Sequence, residues 1–155
     1  MSGPALILAS QSAARRAMLS AAGVAFEAVS PHVDEDAIRD ALRGAPPRDI
    51  ADALAETKAV KLSQRFPEAL VLGADQLLVT AEGEILDKPG SRDRAAAQLR
   101  RLLGAQHQLI SAAVIAQLVS VMQPRITFRP RARARMIILC ASRRPVHFMS
   151  LMLMP

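Results

Sequence analysis

The chain has 155 residues, a net charge of +6, 51% hydrophobic residues and a single cysteine, Cys140. That length supplies a domain-sized core without a disulfide or metal staple, and one cysteine excludes an internal disulfide. The first thirty residues lack a signal peptide's basic start and apolar run, and the apolar stretches near 136–141 and 146–154 are too short and too interrupted for a membrane span, so a cytoplasmic protein without a membrane partner is expected.

In chain order, Ala5 to Ala9 is a short apolar run that predicts a strand. Ser12 is a natural N-cap for the Ala, Arg, Met and Leu segment that follows, and Gly23 closes that helix. Phe26 to Ser30 reads as a second strand ended by Pro31, and the acidic group Asp34-Glu35-Asp36 comes next. From Pro47 to Gln64 the residues Ile50, Ala51, Leu54, Ala55, Ala59 and Leu62 recur at helical spacing. Ala69 to Leu72 predicts a buried strand, and the chain passes through Gly73-Ala74-Asp75-Gln76 into a hairpin of Leu77–Thr80 with Glu84–Leu86. Ser91 caps a helix running to Leu103, stopped by Gly104, and Gln106 to Ala116 returns as a strand. This order predicts an α/β domain with a mixed sheet. Beyond Gln117 only Arg125 to Pro130 carries a strand-like pattern, and the remaining apolar residues keep no sustained period.

Ser10-x-Ser12-x-x-Arg15-Arg16 falls at a strand-to-helix junction, where open backbone amides favour an anion and guanidiniums add forked donors for phosphate oxygens. The same residues also suit an ordinary serine-capped helix with solvent-facing arginines. Asp75 just past a buried strand suits a magnesium ligand or a water-activating base, and equally a turn aspartate bonded to its own backbone. Lys58 and Lys88 taken singly are ordinary solvated charges, and Glu35 an ordinary first-turn acid. Their combination is more specific than any one of them.

Leu6 to Arg16, Val33-Asp34-Glu35, Ala55-Glu56-Thr57-Lys58-Ala59, Val71 to Gln76 and Gly83 to Pro89 resemble the successive motifs of the Maf family of nucleoside triphosphate pyrophosphatases, in their usual order. Gln98 to Gly104 and His107 to Ala113 continue the resemblance. It implies a two-lobed, mixed-sheet Maf/ITPase-like fold and hydrolysis of a nucleoside triphosphate to the monophosphate and pyrophosphate, with a divalent cation, Mg or Mn, as cofactor. It also implies roles. Asp75 would be the central catalytic acid, holding the metal or orienting water, with Glu35 as a second carboxylate near the metal. Arg15, Lys58 and Lys88 would hold phosphate charge, and Ser10, Ser12 and Arg16 would shape the phosphate loop. The family's usual proline after the second serine is Ala13 here. Gln76 stands where the dTTP- and UTP-preferring branch commonly has threonine, so the Asp75-Gln76 pair looks more like the branch acting on 7-methyl-GTP. A homodimer is a further expectation.

The charge is unevenly spread. Residues 1–93 carry ten Lys and Arg against fourteen Asp and Glu, a net −4, whereas residues 94–155 carry ten Arg and no acid, a net +10. The segment also has no glycine after Gly104 and contains an Arg131-to-Arg135 run of alternating Arg and Ala. The expected division is therefore 1–117 as the Maf-like domain and 118–155 as a basic tail poorly matching the family, leaving the second lobe incomplete. Such a tail is either a divergent terminus that still packs or the product of out-of-frame translation, and loss of acids and glycines together favours the second. Three function classes follow: an active pyrophosphatase, an inactive remnant of the fold, and a basic-tail binder of nucleic acid or anionic surfaces using Arg125 to Arg144. The absence of Trp and Tyr, with four Phe, argues against base stacking and so against a nucleic-acid partner.

Overall fold

The computed structural model describes residues 5–120 and 134–140. Strand β1 (Leu6–Ala9) leads into helix α1 (Ala13–Ala21) and strand β2 (Glu27–Ala28). Helices α2 (Glu35–Ala41) and α3 (Pro47–Ser63) precede strand β3 (Leu70–Thr80). Strand β4 (Ile85–Leu86), helix α4 (Arg92–Leu102), strand β5 (His107–Ser120) and strand β6 (Ala134–Cys140) complete the described elements. They form one mixed sheet in the order β2-β1-β3-β5-β6, with β4 also on β3, as the α/β reading expects.

Local chemistry explains most boundaries. The Ser12 hydroxyl accepts from the Arg15 amide at 3.4 Å to cap α1, and Ser91 does the same for Arg94 at 3.3 Å at the start of α4. Asp34 caps α2 through a 3.0 Å bond from the Ala37 amide, so the acidic group opens a helix that composition alone did not delimit. Pro47 at the start of α3 occupies a position where a missing amide costs nothing.

Three expectations change. Leu70 to Thr80 is one continuous strand, not two segments joined through Gly73–Gln76, because Val71 to Thr80 pair residue for residue with Ala116 to His107 of β5. The second strand shrinks to Glu27–Ala28. Residues 134–140, which showed no period, pair antiparallel with Val114–Ser120 as β6. The strand-like Arg125–Pro130 lies outside the described residues.

The core lies between α3 and one face of the sheet. Ile50, Ala51, Leu54, Ala55, Ala59 and Leu62 from the helix meet Ile7, Ala9, Val71, Leu77, Val79, Ala112, Val114 and Ala116 from the strands. The helical spacing of the first set and the period-two spacing of the second are one packing pattern seen from two sides. On the opposite face, Ala14, Met18 and Leu19 of α1 border a groove with Leu8, Leu72 and Ala74. Thus β1 feeds a helix on one face toward β2, and the chain then returns through α3 on the other face to β3. The C-terminal ends of β1 and β3 are a topological switch point, where open α/β sheets form crevices.

Gly73 sets how closely α3 can approach. A Cβ there would lie 2.1 Å from the Ala55 carbonyl oxygen, 2.8 Å from the Ala59 amide nitrogen and 2.9 Å from the Ala59 Cβ. Two of those three atoms are helix backbone, which no rotamer change can move aside. Gly73→Ala is therefore expected to destabilise the fold by about 2–3 kcal/mol. Urea unfolding measures this, and a midpoint equal to that of the unsubstituted chain would refute the close approach.

Candidate active site

The long strand β3 carries different neighbours along one edge. Leu70 to Gly73 pair in parallel with β1, and Leu78 and Val79 pair antiparallel with β4. Between them, no described strand pairs with residues 74–77 on that edge, while β5 covers the other edge of the interval. A cleft of about 460 Å³ opens there. Its walls come from the loop after β1, the loop before α2, the face of α3 and the segment after β4.

Alternation along β3 assigns the faces. Val71, Gly73, Asp75, Leu77 and Val79 are buried on the α3 side, whereas Gln76 is exposed. Because α3 sits tight against Gly73, Lys58 on the adjoining turn reaches Asp75, and its Nζ donates to Asp75 Oδ1 at 2.7 Å. The same ammonium lies 2.8 Å from Glu35 Oε1, presented by the first turn of α2. Lys58 and Asp75 are 5% and 6% exposed, so each needs the other to offset its lost hydration. Glu35 stands nearer solvent.

Burial pushes the Glu35 carboxyl up, but the hydrogen bond and charge of Lys58, with the charges of Lys88 and Arg39, outweigh it and hold the carboxyl below the usual glutamate value. One polar atom of the Lys58–Asp75–Glu35 cluster is left over: Asp75 Oδ2 is buried without a hydrogen-bond partner among the described residues.

The opposite wall gathers hydroxyl, amide and guanidinium groups. Ser10 Oγ accepts from the Arg15 guanidinium at 3.1 Å and from the Ser12 amide at 3.2 Å, tying the loop after β1 to the first turn of α1. Ser10, Ser12 and Arg15 all line the cleft, as do Glu35, Lys58, Asp75, Gln76 and Lys88. Arg16 is exposed and lies outside that lining. Gln76 turns to the other face of the strand, where its Nε2 donates to Ser111 Oγ at 2.8 Å. The result is a concave surface with two carboxylates joined by a lysine on one side and serine, arginine and lysine donors around them.

A family model described as Maf-like protein matches residues 5–148. The chain belongs to that family. It is 54% identical over 114 residues to a nucleoside triphosphate pyrophosphatase of Sphingopyxis alaskensis, covering 72% of this chain and 58% of that protein. It is 57% identical over 112 residues to nucleoside triphosphate pyrophosphatase 1 of Jannaschia sp., covering 71% of this chain and 56% of that protein. A nucleoside triphosphate pyrophosphatase of Caulobacter vibrioides is 56% identical over 119 residues, covering 76% of this chain and 59% of that protein. The chain thus spans less than three fifths of the length of these curated relatives.

The cleft of this Maf-like chain also contains residues the sequence reading passed over. His32, Arg39 and Asp87 line it, and His32 holds a left-handed backbone at φ 45°. Its carbonyl accepts from Lys61 Nζ, which fixes the turn before α2. Arg39 follows Glu35 by one helical turn and pairs with Asp87 beside Lys88. The spacing of Glu35 and Arg39 was visible, but their shared orientation needed the helix of Glu35–Ala41 to be known.

Because its folded pKa lies below the ordinary value, Glu35 contributes stability that is complete above that ordinary value and is lost as pH falls through the lowered one. Glu35→Gln should therefore be less stable than the unsubstituted chain at pH 7, with the gap closing below about pH 4.5. Urea midpoints measured from pH 7 to pH 3 check this. A gap that stays constant to pH 3 would remove Lys58 as the cause of the lowered pKa.

Proposed function

We propose that this Maf-like chain forms the catalytic cleft of a nucleoside triphosphate pyrophosphatase, which cleaves between the α- and β-phosphates to give a nucleoside monophosphate and pyrophosphate. The observation that carries the reading is the Lys58 ammonium bound at once to Asp75 and Glu35. This bridge faces a wall of anion donors across the same cleft.

In this reading Ser10, Ser12 and Arg15 receive phosphate oxygens, with the open amides at the start of α1 adding a partial positive charge. Arg16, on the same helix, contributes to the positive potential from outside the cleft. Lys88 approaches from the segment after β4 and stabilises charge that accumulates as pyrophosphate departs. Asp75 is the group best placed to orient a water at the α-phosphate: its Oδ1 is engaged by Lys58 and its Oδ2 has no partner. Lys58 favours the ionised form of Glu35 and aligns both carboxylates. The catalysis is chiefly positioning and electrostatic stabilisation.

The donor set fits a hard divalent cation, Mg²⁺ or Mn²⁺. The partnerless Asp75 Oδ2 is an oxygen donor in need of a ligand, and Glu35 supplies a second carboxylate beside it. Among the described residues no group of three or more His, Cys, Asp or Glu could hold a metal alone. Two carboxylates agree with a cation that completes its shell with substrate phosphates and water. When bound, such a cation would neutralise phosphate charge and polarise the scissile bond.

The base is read from Gln76. Its exposed amide can both donate and accept, and Ser111 fixes its orientation at the edge of the cleft. This suits a base with hydrogen-bonding edges, and the resemblance of the Asp75-Gln76 pair to the branch acting on 7-methyl-GTP favours that modified purine.

Purified full chain should release pyrophosphate from at least one member of a nucleotide panel that includes 7-methyl-GTP, in the presence of Mg²⁺ or Mn²⁺. Asp75→Asn should lower the rate at least about 10³-fold. Lys58→Met should be inactive as well and should cost about 3–5 kcal/mol of stability, since it strands a buried carboxylate. A folded sample that binds nucleotides without hydrolysing any of them would reduce the cleft to a binding site.

A further inference from the structure

Lys88 lies in the segment just after the short strand β4, and among the described residues its side chain has no hydrogen-bonded or ion-paired partner. Its position must therefore be set by what surrounds it. Directly before it, Asp87 is anchored twice. Its carboxylate pairs with Arg39 of α2, and its backbone carbonyl accepts from Gln98 Nε2 of α4 at 2.8 Å.

The first anchor spans the cleft. Arg39 stands one turn after Glu35 on α2, so the element that presents a carboxylate to Lys58 also holds the segment that carries Lys88. The other described ion pairs differ in placement. Arg43–Asp40 and Arg48–Asp52 lie within single helices or their ends, Arg101–Glu84 ties α4 to the hairpin turn, and the two Lys58 pairs lie inside the site. Only Arg39–Asp87 joins the α2 rim to the hairpin rim. Arg39 is 29% exposed and its Nε is buried with no partner among the described residues, so the side chain is committed to the cleft wall and is not a freely solvated charge.

We propose that Arg39 is a positioning residue whose ion pair with Asp87 latches α2 to the β3–β4 hairpin and so fixes Lys88 over the carboxylate cluster. A surface pair of this kind contributes little to global stability. Its effect is geometric, because a displacement of about 1 Å at a charged group can cost up to about a hundredfold in rate. Where the test uses turnover, the inference rests on the pyrophosphatase reading.

Two measurements on the full chain separate the two ideas. In hydrogen–deuterium exchange, the peptide spanning residues 84–89 should exchange faster in Arg39→Gln and Asp87→Asn than in the unsubstituted chain, while Arg43→Gln, an exposed arginine outside the cleft, leaves it unchanged. In turnover, Arg39→Gln should lower kcat/KM about tenfold with an unchanged melting temperature, and Arg39→Lys should recover part of the loss. In a Lys88→Ala background, Arg39→Gln should cost less than about twofold, because the group it positions is gone. Unaltered exchange at residues 84–89 overturns the latch. So does a tenfold loss that persists without Lys88, or a loss below twofold in both backgrounds. If the unsubstituted chain turns over no nucleotide, the pyrophosphatase reading fails and the exchange result alone decides the latch.

Discussion

The site depends on one ammonium group. Lys58 is almost fully buried, and its Nζ is shared between Asp75 at 2.7 Å and Glu35 at 2.8 Å. Burying a charge is unfavourable unless it is paired and hydrogen-bonded, so the pair stands only while α3, α2 and β3 keep their relative places. Conversely, three elements that meet at one charged point are held to a narrow geometry. The absent side chain at Gly73 makes this possible, because α3 can lie with its backbone against the strand two residues before Asp75. A larger separation would leave the lysine short of the carboxylate and both of them without compensation.

The sheet provides the opening. On one edge β3 has β1 at its start and β4 near its end, and the four-residue interval between them borders the cleft. The switch from parallel to antiparallel pairing along a single strand is thus what keeps the middle of β3 accessible. The other edge is fully bonded to β5, so access comes without loss of register. The Ser10–Ser12 loop lies beside the same interval because β1 ends there and α1 begins.

Much of this was legible from residue order. Ser12 and Ser91 announced their helices because capping is a local interaction between a side chain and amides two or three residues away. The apolar spacing of α3 marked its buried face, whereas Asp75, Lys58 and Glu35 were singled out only by their combination and the resemblance of their segments to the Maf motifs, since each alone reads as an ordinary turn or surface charge. What escaped was non-local. The continuity of β3 through Gly73–Gln76 depends on its partner strand, not on its own composition. The strand Ala134–Cys140 likewise owes its existence to pairing with β5. The acidic group at 34–36 did not delimit α2, and only the folded helix, capped by Asp34, shows that Arg39 and Glu35 share an orientation and that Asp87 lies on the far rim.

The pleat of β3 has one more effect. Asp75 and Gln76 are neighbours in sequence yet belong to opposite faces, one locked to Lys58 and the other bonded to an exposed serine. A replacement at 76 therefore leaves the buried charges untouched, while a replacement at 75 disrupts them. The two positions therefore differ in mutational tolerance: a change at 75 strands the buried Lys58, whereas a change at 76 disturbs only a bond to an exposed serine.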